Sequence, residues 1–176
     1  RVRRPGVYLA PAGISVRELI DDYGGGMPDG HDLKAYLPGG ASGGILPASL
    51  AELPLDFDTL QEYGCFIGSA AVIVLSDRDS VRDVALNAMR FFAHESCGQC
   101  TPCRVGTRMA AELMAQPDWD RERLEDLSQV MQDASICGSL QCRRHMLAVR
   151  PPRSEITPVK PGVMSRMFSI SRRVSS

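Results

Sequence analysis

Three of the six cysteines, Cys97, Cys100 and Cys103, recur at a spacing of three, and a fourth, Cys137, follows after a long interval. Thiolates are soft donors. Three of them within one or two backbone turns, completed by a remote fourth that folding returns, make a tetrahedral nest suited to a soft metal or an iron–sulfur cluster. In tandem ferredoxin runs the fourth cysteine follows after three residues and serves another cluster. Only one remote cysteine is available here before the tail, so one cubane cluster is the economical count. Gly98 and Gly106, without Cβ, would let the backbone approach inorganic sulfide and take positive φ where a ligand loop needs it. Arg104 and Arg108 are candidates to offset the anionic cluster and raise its reduction potential.

Other chemistries compete for the same thiols. A structural zinc site also accepts four cysteines, although zinc frameworks typically use two CxxC knuckles. Disulfides need an oxidising compartment, and a thioredoxin-like CxxC needs a βαβ setting. Cys65, next to Phe66 and before an apolar run, reads as a core thiol, and Cys142 belongs to a tail of different composition. His94 precedes the ligand loop, where it would cap carbonyls or lie near the cluster, while His31 and His145 show no partner pattern. No Ser/His/Asp spacing, nucleophile elbow or isolated carboxylate pair supports autonomous hydrolysis.

Two kinds of element must position these groups. Ser15 and Glu18 form a capping box that starts a helix at Val16, with Val16, Leu19, Ile20 and Tyr23 on one face and Gly24, Gly25 and Gly26 ending it. Strands are expected at Gly6 to Ala10, Leu33 to Leu37, Gly44 to Leu46 and Ala70 to Leu75. The glycine-rich stretch from Pro38 to Gly44 lacks the spacing of a phosphate loop and reads as a hairpin turn. From Ser80 the apolar period becomes helical, with Val81, Val84, Ala85, Ala88 and Phe92 on one face. Further helices are expected at Thr107 to Ala115 and from Asp120, the latter placing Leu124, Leu127, Met131 and Ala134 together. The fold class is therefore α+β, with a small domain of ubiquitin-like size over residues 1–77 and a helical bundle over 78–138.

The 176 residues are 44% hydrophobic and 23% charged. No apolar run reaches the roughly 20 residues of a membrane helix, and no secretory pattern opens the chain, so a cytoplasmic protein without membrane insertion is expected. The net charge of −1 conceals a basic tail: residues 139–176 hold eight of the 20 basic side chains but only Glu155 among the 21 acidic ones. That tail lacks a nucleic-acid module, and nucleic acid is not expected as a partner. Rich in Pro, Arg and Ser, it reads as disordered, and its abrupt onset suggests a shifted reading frame.

The segment HESCGQCTPCRVGT at residues 94–107, followed by SICG at 135–138, resembles the cluster-binding segment of the flavoprotein subunit shared by complex I and NAD-linked dehydrogenases. KAYLPGGASGGILP at 34–47 and YGCFIGSAA at 63–71 most resemble the β subunit of soluble NAD-dependent formate dehydrogenase. The resemblance implies a soluble-ligand-binding β-grasp domain followed by a helical iron–sulfur domain. It puts a [4Fe-4S] cluster on Cys97, Cys100, Cys103 and Cys137, passing single electrons between FMN and the next subunit. Partners implied are a thioredoxin-like ferredoxin subunit and a large iron–sulfur subunit. The family's flavin and NAD site lies upstream, in a domain with a GRGGAGFP-type loop absent from these residues. The chain by itself is thus expected not to bind FMN or NAD, nor to turn over.

Overall fold

The computed structural model describes residues 1–137. The expectations for the basic tail, including its disorder and shifted frame, and for Gly138, Cys142 and His145 lie outside them.

A three-stranded antiparallel sheet stands at the centre, with β1 (Leu33–Ala41) between β2 (Leu46–Pro47) and β3 (Ile73–Ser76). Tyr36 pairs with Leu46 on one side and with Val74 on the other, while Ala35 pairs with Pro47 and Leu75. Because successive strand side chains point to opposite faces, this register sorts them into two cores. Ala35, Leu37 and Leu75 pack with Ala85, Ala88, Met89, Phe92, Ala110, Met114 and Leu124 of the helices. Tyr36, Leu46 and Val74 pack on the other face with Val16, Ile20, Ala51, Leu55, Leu60 and Cys65. The sheet and the helical half thus share a core.

The capping box at Ser15 is formed: its hydroxyl accepts from the Glu18 N–H at 3.2 Å, and the Glu18 carboxylate accepts from the Ser15 N–H at 2.9 Å. The helix it starts is regular only over α1 (Val16–Glu18). It then widens into a π-type turn over Leu19–Tyr23, closed by the Gly24 N–H on the Leu19 carbonyl at 2.9 Å. Gly25 and Gly26, at φ +70° and +82°, turn the chain away as expected of a helix-ending glycine run.

All four strand expectations change. The strand expected at Gly44 to Leu46 is only β2, Leu46–Pro47, because Gly44 takes φ +85° and the ladder pairs with β1 only from Leu46. Gly6 to Ala10 forms no strand. There Val7 and Leu9 are exposed, so the stretch has no apolar face to bury. β1 runs on to Ala41, so only the last part of the glycine-rich stretch is a turn. The cause is tertiary: a Cβ on Gly39 would lie 2.3 Å from the Phe66 carbonyl oxygen, a close approach that glycine alone allows. β3 begins at Ile73 rather than Ala70, because Ala70 takes φ +54° in a turn whose N–H reaches the Ile67 carbonyl at 2.7 Å.

Three helices complete the fold: α2 (Val81–His94), α3 (Thr101–Met114) and α4 (Arg121–Ala134). Ser80 and Asp120 cap α2 and α4 by accepting from the N–H of Asp83 and Arg123. In α2 the buried residues Ala85, Ala88, Met89 and Phe92 follow the i, i+3, i+4, i+7 pattern of a core-facing stripe. α3 begins six residues before Thr107, because Pro102 near its start fits an N-terminal first turn. Its far end is closed by Arg82, whose guanidinium donates to the Gln116 and Pro117 carbonyls and stacks on Trp119. In α4, Leu124 and Met131 are buried as expected, whereas Ala134, in the last turn, is exposed.

Candidate metal centre

The thiols arise where α2 hands over to α3. α2 ends with the Glu95 N–H on the Phe91 carbonyl at 2.9 Å, and the chain turns through Ser96–Cys100. Gly98 sits at φ +78°, so the positive-φ expectation holds there. Its N–H donates to Ser96 Oγ at 3.4 Å, and its carbonyl accepts from Arg104 Nη1 at 2.6 Å. Arg104 also reaches Thr101 Oγ1 at 3.5 Å. The guanidinium therefore binds the loop backbone and braces the turn. Arg108, one helical turn on, is solvent-exposed.

Cys100 occupies the N-cap of α3 and Cys103 its first turn. Both are buried, at 9% and 4% exposure, and pack in one cluster with Met131 of α4 and the partly buried Leu127. Thr107 Oγ1 donates to the Cys103 carbonyl at 2.7 Å within the helix. Gly106 departs from expectation: it has no positive φ and lies buried inside α3, where a Cβ would be 2.7 Å from Met131 Cγ and 2.8 Å from its sulfur. Its missing side chain admits the thioether of α4, so its role in this structure is helix packing.

α4 ends at Ala134, and Ser135 leaves it in extended conformation. The Ile136 backbone N–H then reaches back to Cys100. That hydrogen bond is the largest influence holding the Cys100 thiol below its usual pKa. Burial opposes it, and the Ser135 hydroxyl and the Cys103 N–H and side chain add to it. The Ser135 hydroxyl is buried without a well-formed hydrogen-bond partner, which places it beside the Cys100 sulfur but outside good bonding geometry. Cys137 and Cys97 are exposed. Among the described residues, no three His, Cys, Asp or Glu side chains gather closely enough to hold a single metal ion.

These features fit a sulfur-ligated group. The Cys100 thiol is held below its usual pKa, both it and Cys103 stand at the positive end of a 14-residue helix, and an orphaned hydroxyl lies next to the Cys100 sulfur. Ser96, Ser135 and Ile136 carry no motif of their own in the sequence, and Met131 reads there only as a core position of the last helix. The seryl hydroxyls one and two positions before Cys97 and Cys137 were the available signal, since hydroxyls flanking soft ligands are candidate donors to sulfur.

The remaining side chains of note lie elsewhere. His94 pairs with Glu95 at 2.9 Å, both exposed. His31 does have a partner: its Nδ1 is 3.0 Å from Ser76 Oγ, which in turn donates to Asp79 at 3.1 Å. Cys65 is buried in the second core, and burial pushes its thiol pKa up to about 11.

Residues 83–148 match the NADH-ubiquinone oxidoreductase-F iron-sulfur binding region, a stretch that takes in Cys97, Cys100, Cys103 and Cys137. The chain is 38% identical over 143 residues to a subunit of the NADH-quinone oxidoreductase of Rhizobium meliloti (strain 1021), covering 81% of this chain and 34% of that protein. It is 35% identical over 144 residues to the NADP-reducing hydrogenase subunit HndC of Solidesulfovibrio fructosivorans, covering 78% and 29%. In three dimensions it superposes on a chain of an NAD+-reducing [NiFe]-hydrogenase in the H2-reduced state with a TM-score of 0.69 and 32% identity, over 83% of this chain and 25% of that one. The chain spans about a third of the length of the curated relatives it matches. With its cysteine-bearing helices and this match, the chain belongs to the family of NADH-binding flavoprotein subunits found in NADH-quinone oxidoreductases and related enzymes.

Proposed function

We propose that this chain holds one [4Fe-4S] cluster on Cys97, Cys100, Cys103 and Cys137 and serves as a one-electron relay within an NADH dehydrogenase-like enzyme. When bound, such a cluster supplies reversible one-electron transfer. The observation that carries the reading is the burial of Cys100 and Cys103 together against Met131 of α4, the helix that Cys137 follows by three residues. α3 and α4 hold two thiols out of water against Met131, and Arg104 fixes the Gly98 turn between Cys97 and Cys100. Cys97 and Cys137 stand on the exposed side.

In the complete enzyme, the electrons pass between FMN, bound with NAD by another part of the subunit, and a neighbouring subunit. We assign that neighbour to the thioredoxin-like ferredoxin or large iron–sulfur subunit of a cytoplasmic NAD-dependent formate dehydrogenase or a related NADH dehydrogenase. Val105 of α3, Val130 of α4 and Ile136 next to Cys137 are exposed apolar side chains, which supports a partner surface on the cysteine-bearing half. Residues 1–77 would form the β-grasp unit and 78–138 the cluster unit, joined across the sheet. No helix among the described residues is long and apolar enough to cross a membrane.

Anaerobic reconstitution with iron and sulfide tests the assignment. Four iron and four sulfide per chain, with an EPR signal on reduction, are expected. One zinc per chain with no visible absorption would replace the relay with a structural zinc site.

A further inference from the structure

We propose that the hydroxyl of Ser96 is a hydrogen-bond donor to the ligand sulfur of Cys103 and tunes the reduction potential of the bound cluster. This rests on the cluster reading above and assigns a task to a residue outside the cysteine set. Ser96 Oγ lies 3.3 Å from Cys103 Sγ. In a free thiol either atom could donate. A metal-bound thiolate has no proton, so the hydroxyl must be the donor.

The neighbours of Ser96 point its proton the same way. The Gly98 N–H donates to Ser96 Oγ at 3.4 Å, occupying an acceptor position on the oxygen and leaving its single hydrogen for the sulfur. The loop that carries the hydroxyl is pinned at the next turn by the left-handed Gly98 and by Arg104 on the Gly98 carbonyl. Cys103 is buried at 4% exposure, so water competes little for that sulfur. A hydrogen bond to a charged acceptor in such a setting is stronger than one in water.

A donor on a ligand sulfur draws off negative charge. It therefore favours the reduced, more anionic cluster over the oxidised one and raises the potential. A serine that merely shaped the loop would affect cluster retention and stability but leave the potential where it was.

The test uses the full chain reconstituted anaerobically with iron and sulfide, as wild type, Ser96→Ala and Ser96→Thr, and titrated potentiometrically with EPR detection. Ser96→Ala is expected to retain the same iron and sulfide content with a more negative midpoint. At the wild-type midpoint its oxidised-to-reduced ratio should rise about tenfold, equivalent to 59 mV for a one-electron couple. Ser96→Thr, which keeps the hydroxyl, should return toward wild type. Transfer to D2O should shift the Fe–S stretching frequencies in resonance Raman spectra of wild type and Ser96→Thr. Equal midpoints for wild type and Ser96→Ala at equal cluster content would overturn the proposal, as would a shift that threonine does not reverse. If Ser96→Ala loses the cluster, an absence of any D2O shift in wild type overturns it instead. A wild-type chain that takes up no cluster refutes the relay reading itself, a result distinguishable from all of these.

Discussion

Gly106 of α3 faces Met131 of α4 so closely that a Cβ on the glycine would lie 2.7 Å from the methionine Cγ. The same methionine packs against Cys100 and Cys103, so this contact sets how near α4 comes to the two buried thiols. Gly106→Ala removes helix-breaking entropy but forces Met131 aside. Overpacking of this kind costs about 1–3 kcal/mol, and the helix-propensity gain of up to about 1 kcal/mol offsets it only in part. Denaturant unfolding should show a net loss of stability, and Gly106→Ala combined with Met131→Ala should recover part of it.

Cys65 makes the protein sensitive to alkali. Burial raises its thiol from an ordinary pKa of 9.0 to about 11. With the folded value above the unfolded one, the neutral thiol's contribution is complete below pH 9 and disappears as pH rises toward 11. Tyr36, raised by burial from 10.0 to about 12, adds a second loss at higher pH. Unfolding free energy should therefore fall from about pH 9 upward, and Cys65→Ala should flatten the first part of that fall. The same slope in Cys65→Ala and wild type would sink this account.

Asp79 joins the start of the chain to the end of β3. Its carboxylate accepts from the Ser76 N–H at 2.8 Å, from the Ser76 hydroxyl and from the Arg1 guanidinium at 2.9 Å, and its side chain is 7% exposed. Burial pushes its pKa up, but these partners outweigh it, and the net displacement is downward. The carboxylate therefore stabilises the fold above its ordinary pKa of 3.8, and that support is lost as pH falls further. Asp79→Ala should cost about 1–3 kcal/mol by leaving the Ser76 donors without their acceptor. Thermal melts at neutral pH check the magnitude, and melts near pH 3 should narrow the gap from wild type.

Much of this was legible because it is local. The Ser15–Glu18 capping box, the Ser80 and Asp120 caps and the helical stripe through Ala85, Ala88 and Phe92 depend on neighbours within one or two turns. So does the CxxCxxC spacing. What escaped depends on distant chain. Gly39 stays in a strand because Phe66 lies against it, and Gly106 is a packing residue because Met131 arrives from another helix. Ala70 is forced into a left-handed turn that its residue type disfavours. The shared core likewise follows from the alternation of Ala35, Tyr36 and Leu37 across β1, visible once both sides of the sheet are covered.

Cys100 and Cys103 should be the least replaceable of the thiols. Each is buried in the Met131 cluster, and serine there sets a polar hydroxyl among apolar neighbours as well as removing a soft donor. Cys100→Ser and Cys103→Ser should reduce iron uptake at least tenfold, read by iron and sulfide analysis. Cys65→Ser, in the other core, should leave uptake unchanged.

Cys137 is the remote cysteine proposed to complete the set begun by Cys97, Cys100 and Cys103, and Cys137→Ser addresses that role alone. Because Cys137 is exposed, its replacement by serine should leave the fold intact by circular dichroism. EPR of the dithionite-reduced, reconstituted chain is the measurement. Loss of the four-iron signal, or its conversion to a three-iron form, is expected in Cys137→Ser. A four-iron signal of wild-type intensity and shape in that variant would contradict it.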